Sequence, residues 1–188
     1  MTGIIKHMVE PDQSRKILLM GLDNSGKTSI VYSLKGIRNL PTYSKVNPTI
    51  GENVEYIEMF DSRFGIWDLG GQENYRRGYL KDLERITSGC DKLIYVFDIQ
   101  DVKRYDLALD YYEKVIDFLD DVDNKSNIEI SIFLHKNDPD LIEIKPNLNP
   151  EMIEDLKERI KQKIEPTGLV YKIFKTTIYA TFEKSITD

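Results

Sequence analysis

Eight residues, Gly21-Leu22-Asp23-Asn24-Ser25-Gly26-Lys27-Thr28, follow the apolar run Ile17-Leu18-Leu19-Met20 and fit the pattern GxxxxGK(S/T). A glycine-rich turn that feeds a helix N-terminus aims several free backbone N–H groups at one concave point, where an anion is stabilised. Gly21 and Gly26 suit backbone conformations closed to residues with a Cβ and allow close approach of a phosphate. Lys27 would reach the β- and γ-phosphates as a point charge, and the Thr28 hydroxyl would serve Mg²⁺. Asp23, Asn24, Ser25 and Ser29 complete the expected phosphate-binding set.

A phosphate loop alone does not separate kinases, ATPases and GTPases, so three further stretches carry the distinction. Trp67-Asp68-Leu69-Gly70-Gly71-Gln72 places Asp68 to hold a Mg²⁺-bound water, the Gly71 N–H to meet a γ-phosphate, and Gln72 to position an attacking water. Asn47-Pro48-Thr49-Ile50-Gly51 offers the Thr49 hydroxyl to Mg²⁺ and its N–H to the γ-phosphate, contacts that vanish with that phosphate and release both loops. His135-Lys136-Asn137-Asp138 stands at a strand end, where guanine-specific proteins carry an (N/T)KxD box. The Asp138 carboxylate would accept from N1–H and the 2-amino group of guanine, a donor pair that adenine lacks. Lys136 would lay its aliphatic stem against the base. A P-loop ATPase or kinase, with Asp138 incidental, stays open at this point.

These loops need strands to end beside one another. Residues 16–20 predict a buried strand and 28–35 a helix, and 53–60 with 64–67 predict a hairpin around Asp61-Ser62. Residues 93–97, 128–134 and 169–174 read as strands, alternating with helical patterns over 79–86, 107–119 and 152–164. Such alternation argues for a mostly parallel sheet covered on both faces, with one antiparallel strand from the hairpin and with ligands beyond the strand C-terminal ends. The stripe Tyr111, Tyr112, Val115, Phe118 and Leu119 is expected in the core, and 138–150 on the surface. Asp98, at a strand end, is expected to satisfy nearby backbone. Trp67 divides evenly between core and partner surface, as do Tyr75, Tyr79, Arg76 and Arg77.

Length and charge set bounds. The 188 residues fit one domain over 16–188 behind an extension over 1–15. A net charge of −6 argues against a nucleic-acid partner. The single cysteine, Cys90, excludes an internal disulfide and suits a reducing compartment, with cytoplasm the default. No apolar run approaches the roughly 18 residues of a membrane span. Ile4, Ile5, Met8 and Val9 share one face of a short helix that Pro11 would end, a face compatible with weak peripheral membrane contact or with a fraying terminus. Thr2 excludes a myristoylation start, and no prenylation box is seen. Residues 181–188 start like a last helix that stops after about two turns.

With these motifs in place the sequence resembles a small GTP-binding protein of the Ras superfamily. GLDNSGKTSI (21–30), NPTIGENVE (47–55) and WDLGGQENYR (67–76) are similar to the Arf family, including the acidic Asp23. LIYVFDIQD (93–101), DYYEKVIDFL (110–119), FLHKNDPD (133–140) and FKTTIYATFEK (174–184) resemble Rag segments. The resemblance implies a Ras-like P-loop G domain: a six-stranded, mostly parallel sheet with one antiparallel strand and helices on both faces. It implies a switch that binds GTP with Mg²⁺ and slowly hydrolyses it to GDP and phosphate, regulating trafficking or signalling. A guanine-nucleotide-bound scaffold with little hydrolysis is the alternative. Effectors and regulators would engage the segments around Thr49 and from Gln72 to Tyr79. Thr177-Ile178-Tyr179 stands where many relatives have Ser-Ala-Lys, so the Ile178 N–H would read guanine O6. His135 replaces an amide that normally ties its loop to neighbours, which implies weaker binding, and Asp23 beside the γ-phosphate implies slower hydrolysis. No internal arginine finger is assigned. Rag-like proteins carry a further roadblock-type domain that this sequence does not show, so dimerisation through it is not expected, while dimerisation by other faces stays open.

Overall fold

Strand β1 (Arg15–Met20) shows how the sequence divides its apolar residues between two cores. Leu18 and Met20 join one buried cluster, and Leu19, with Ile17 beside it, joins another. A strand covered on both faces sends alternate side chains to opposite layers. The computed structural model describes residues 14–37, 39, 42–43, 45–59, 62–121 and 128–179. After β1 come α1 (Lys27–Leu34), β2 (Glu52–Met59), β3 (Ser62–Leu69), α2 (Glu73–Leu80), α3 (Leu83–Thr87) and β4 (Cys90–Asp98). The chain continues through a 3-10 turn (Val102–Arg104), α4 (Tyr105–Asp120), β5 (Glu129–His135), α5 (Leu141–Ile144), α6 (Pro150–Ile164), a second 3-10 turn (Glu165–Thr167) and β6 (Tyr171–Thr176).

The six strands lie in the order β2-β3-β1-β4-β5-β6, with β2 antiparallel to β3 and every other pair parallel. The chain leaves β1 first to one side and then to the other, so a crevice opens at the C-terminal end of β1, where open sheets of this kind hold ligands. Ile30 and Val31 of α1 cover one face, while α4 and α6 cover the other through residues such as Tyr112, Val115, Leu156 and Ile160. The stripe expected on α4 is core, with Phe118 packed at its margin. Asn149 caps α6 by accepting from the Glu151 N–H at 3.0 Å, and Pro150 follows at the first position, which fixes where that helix starts.

Several boundaries differ from the sequence-based expectations. The helix expected over 79–86 is two helices, α2 and α3, broken at Lys81 and Asp82. Their N–H groups turn back to Gly78 O (3.1 Å) and Tyr79 O (3.0 Å), three-residue bonds that tighten and end α2. The run Glu73-Asn74-Tyr75-Arg76-Arg77-Gly78 carries almost no apolar period, which hid the first half of α2. The strand expected from Leu169 starts at Tyr171, because the Leu169 N–H bonds to Thr167 Oγ1 at 3.2 Å inside the preceding turn. The connection over 138–150 contains α5. Phe60 and Asp61 of the hairpin, the apolar face at Ile4, Ile5, Met8 and Val9, and the helix over 181–188 lie outside the described residues. Among the described residues no helix is long and apolar enough to cross a membrane.

Candidate functional site

The loops after β1, β3, β5 and β6 share one edge of the sheet. The segment before β2 joins them, because the antiparallel register sets Glu52, the start of β2, opposite Leu69, the end of β3. Two cavities open there. One of 350 Å³ is lined by Asp23, Lys27, Thr28, Thr49, Gly71 and Gln72 among others. Its neighbour of 460 Å³ has His135, Lys136, Asp138 and Ile178 in its wall. Gly26, Ser29 and Tyr43 line both, so the two form one crevice. Asn24 also faces the smaller cavity. Ser25, Asp68 and Thr177, also expected at the site, are not among the residues that line these two cavities and support them from the side. Ser25 is 1% exposed and Asp68 fully buried, and the Thr177 hydroxyl donates to Asp138 Oδ1.

The glycine-rich loop has the geometry its spacing demands. Gly26 sits at φ 95°, the left-handed region, and caps α1. A Cβ there would lie 2.5 Å from the His135 ring, so a side chain would also collide with the end of β5. Lys27 is buried; its Nζ donates to Leu22 O at 2.7 Å and Gly21 O at 3.1 Å, and burial pushes its pKa down to about 8 against the pull of Asp68. Thr28 Oγ1 donates to Asp68 Oδ2 at 2.6 Å, Thr49 Oγ1 donates to the same oxygen at 3.0 Å, and the two hydroxyls are 2.9 Å apart. Asp68 Oδ1 is buried without a partner. A carboxylate with one orphaned oxygen and two converging hydroxyls is a donor set suited to a hard divalent cation such as Mg²⁺. Gln72 Oε1 is likewise buried without a partner.

The loop after β3 rests on the glycine-rich loop. The Asp23 N–H donates to Gly71 O at 3.0 Å, and a Cβ on Gly71 would lie 2.1 Å from Asp23 N and 2.2 Å from Leu22 C. Gly51 O, just before β2, accepts from the Gly70 N–H at 2.8 Å and from the Tyr79 hydroxyl at 2.8 Å. Tyr79 is therefore core and tie at once, whereas Tyr75 and Trp67 pack at the core margin. Lys16 Nζ stacks 4.2 Å from the Trp67 ring centroid. Arg77 is exposed and pairs with Glu73 at 2.8 Å, while Arg76 is buried and donates to Gly71 O at 2.5 Å.

In the larger cavity, His135 corrects the expectation of a lost tie. Its Nδ1 is 2.9 Å from Thr176 Oγ1 and its ring backs Gly26, so the imidazole links β5, β6 and the glycine-rich loop. Burial, aided by the Lys136 charge, lowers its pKa to about 4. A histidine held neutral when folded stabilises above its unfolded pKa of about 6.5, and that stability is lost as pH falls toward 4. Between pH 7 and 5 the loss is about 2 kcal/mol. Thermal melts should therefore show a smaller acid-induced drop for His135→Asn than for the parent; equal drops would place the titration elsewhere.

Gln100, which carries no sequence-based expectation, and Asp98 position the base-side groups. Gln100 Nε2 donates to Asp138 Oδ2 and Lys136 O, both at 2.8 Å. Asp98 accepts from the Gln100 N–H at 2.9 Å, as expected of a backbone-satisfying carboxylate, and also pairs with Lys136 Nζ at 2.6 Å. Lys136 (φ 63°) and Asn24 (φ 60°) are the only non-glycine residues in the left-handed region among the described residues, one in each half of the crevice. Strain of this kind persists where surroundings over-determine it and clusters at ligand sites. Asp23, expected beside the γ-phosphate, has its carboxylate engaged: Arg104 Nη1 donates to its Oδ1 at 3.0 Å. No spacing rule links residues 81 positions apart, so this pair leaves no local pattern.

Comparison with known proteins agrees with this build. The Gtr1/RagA G protein conserved region matches residues 16–185. ADP-ribosylation factor F of Dictyostelium discoideum is 32% identical over 131 residues, covering 70% of this chain and 64% of that protein. ADP-ribosylation factor-related protein 1 of Rattus norvegicus is 32% identical over 120 residues, covering 62% and 57%. The chain thus spans less than two thirds of the length of these relatives. The Arl6 BBS3 small GTPase of Trypanosoma brucei, solved with the nucleotide analogue GppNp, shares the fold with a TM-score of 0.64 at 21% identity, over 88% of this chain and 87% of that one. With the motif order, the strand order and the family match in agreement, the chain belongs to the Gtr1/RagA family of G proteins, small GTPases of the Arf/Rag type.

Proposed function

We propose that the protein is a molecular switch that binds GTP with Mg²⁺ and slowly hydrolyses it to GDP and phosphate, through one G domain beginning near residue 16. The observation that carries this reading is the continuous crevice with a phosphate-type loop in one half and the Asp138 carboxylate in the other. Asn24, Ser25, Gly26, Lys27, Thr28 and Ser29 cradle the phosphates, with Asp23 at their edge. Lys136 and Asp138 take the base, supported by His135 and Thr177, and the Ile178 N–H reads guanine O6. Thr28, Thr49 and, through water, Asp68 hold Mg²⁺, which when bound neutralises charge on the phosphate oxygens. The Thr49 and Gly71 N–H groups meet the γ-phosphate. Gln72, with a free side-chain oxygen at the phosphate half, orients the attacking water.

Single-turnover phosphate release from the purified, GTP-loaded protein tests this directly. Gln72→Leu should slow release roughly tenfold or more. An identical near-zero rate in parent and variant would favour a nucleotide-bound scaffold instead. Without an arginine supplied from outside, turnover should be slow, since such a group is worth roughly 10³–10⁵ in rate. An activating protein is the expected partner. Effectors and regulators would read the surface of Pro48, Ile50 and Tyr75, where Ile50 is 82% exposed, together with the rest of α2. A reducing, cytoplasmic setting and a role in trafficking or signalling fit this reading.

A further inference from the structure

The phosphate half of the crevice contains an acidic residue, Asp23, in a loop whose other features favour anions. A carboxylate beside a terminal phosphate repels it, and it repels a triphosphate more than a diphosphate because only the former extends that far. The structure offsets this charge from two sides. Arg104 Nη1 donates to Asp23 Oδ1 at 3.0 Å and Nη2 donates to the Asp23 main-chain oxygen at 3.1 Å, so a single guanidinium grips both side chain and backbone. Arg104 is itself fixed by Asp101, whose Oδ2 accepts from Nε at 2.5 Å. Buried Arg76 lies 3.8 Å from Asp23 Oδ1, but its short bond goes to Gly71 O, so its role is shared with the loop after β3. The crevice holding Arg104 is a separate one, lined by Asp23, Ser25, Asp98, Asp101 and Tyr105, on the α4 side of the loop.

We propose that Arg104 is a positioning residue that holds the Asp23 carboxylate toward α4 and out of the γ-phosphate subsite, and so sets the preference for GTP over GDP. This rests on reading the crevice as a guanine-nucleotide site. The guanidinium does not touch the nucleotide; it acts through Asp23. Releasing it frees the carboxylate to swing into the phosphate half, and only the triphosphate suffers. The Arg104 side chain is 29% exposed, so its removal opens a gap toward solvent rather than a closed void.

The test titrates nucleotide-stripped protein with GDP and with a non-hydrolysable GTP analogue, each with Mg²⁺, by calorimetry. Arg104→Ala should weaken the analogue roughly tenfold or more relative to GDP, and Asp23→Asn in the Arg104→Ala background should restore the ratio to within about twofold of the parent. Arg104→Lys, which keeps the charge, should fall between. Equal weakening of both nucleotides, or a ratio that Asp23→Asn leaves depressed, would overturn the assignment. Thermal melts of each variant identify a folding defect, and the ratio, measured within one variant, is insensitive to the fraction folded. A parent protein that binds neither guanine nucleotide would instead remove the functional reading, and this inference with it.

Discussion

Asp138→Asn is expected to lower GTP affinity by roughly 10²–10⁴ and to raise affinity for xanthosine triphosphate, the two measured side by side in competition binding. The carboxylate is acceptor-only and would face two guanine donors, N1–H and the 2-amino group. An asparagine turns one of those acceptors into a donor and leaves two N–H groups opposed. Xanthine, with a carbonyl at that position, matches the altered pattern. The surroundings decide which way the amide turns: its nitrogen must face Thr177, whose hydroxyl can accept as well as donate. Gln100 and Thr177 both donate to Asp138, so its plane is fixed from behind, and the Lys136–Asp98 pair anchors the loop independently. GTP binding unchanged by the substitution would remove the guanine assignment.

Gly71→Ala should have the largest effect on the fold near the site. The added methyl would lie 2.1 Å from Asp23 N and 2.2 Å from Leu22 C, and both are main-chain atoms that no rotamer change can move aside. The loop after β3 must lift, which breaks the Asp23 N–H bond to Gly71 O and the short Arg76 bond to the same oxygen. A loss of about 2–3 kcal/mol follows from overpacking alone, or about 5–10 °C in melting temperature for a chain of this length. Gly78→Ala is the control, since no atom lies within 4 Å of its missing side chain. Equal melting temperatures for the two variants would mean the loops do not meet as described.

The parts legible in the sequence are those whose function is coded in local spacing. The loop at Gly21, the DxxG at Asp68 and the KxD ending at Asp138 each need fixed neighbours to present backbone or a carboxylate, so each leaves a short pattern. The mostly parallel sheet followed from alternating strands and helices, with the hairpin supplying the antiparallel strand, whereas the order β2-β3-β1-β4-β5-β6 had no local signature. What stayed hidden was either non-local or unpatterned. Gln100 acts on Asp138 from 38 residues away, and Arg104 on Asp23 from 81. The first half of α2 is polar because its exposed side carries Glu73, Asn74 and Arg77, leaving Arg76 and Tyr79 as its buried residues. The tie made by His135 is not legible from residue type, because both the bond to Thr176 and the contact with Gly26 depend on ring geometry.

The carbonyl of Gly51 accepts from Gly70 and Tyr79 together, one donor from the loop after β3 and one from α2. Segments that hang on a single oxygen cannot rearrange independently: withdrawing residue 51 strands both donors, and moving either donor frees half of the acceptor. The two regions that would sense a terminal phosphate are thus geared as one lever. A protein that grips only the Thr49 side would transmit its grip to α2 without touching it, and a ligand lost at either end would release both.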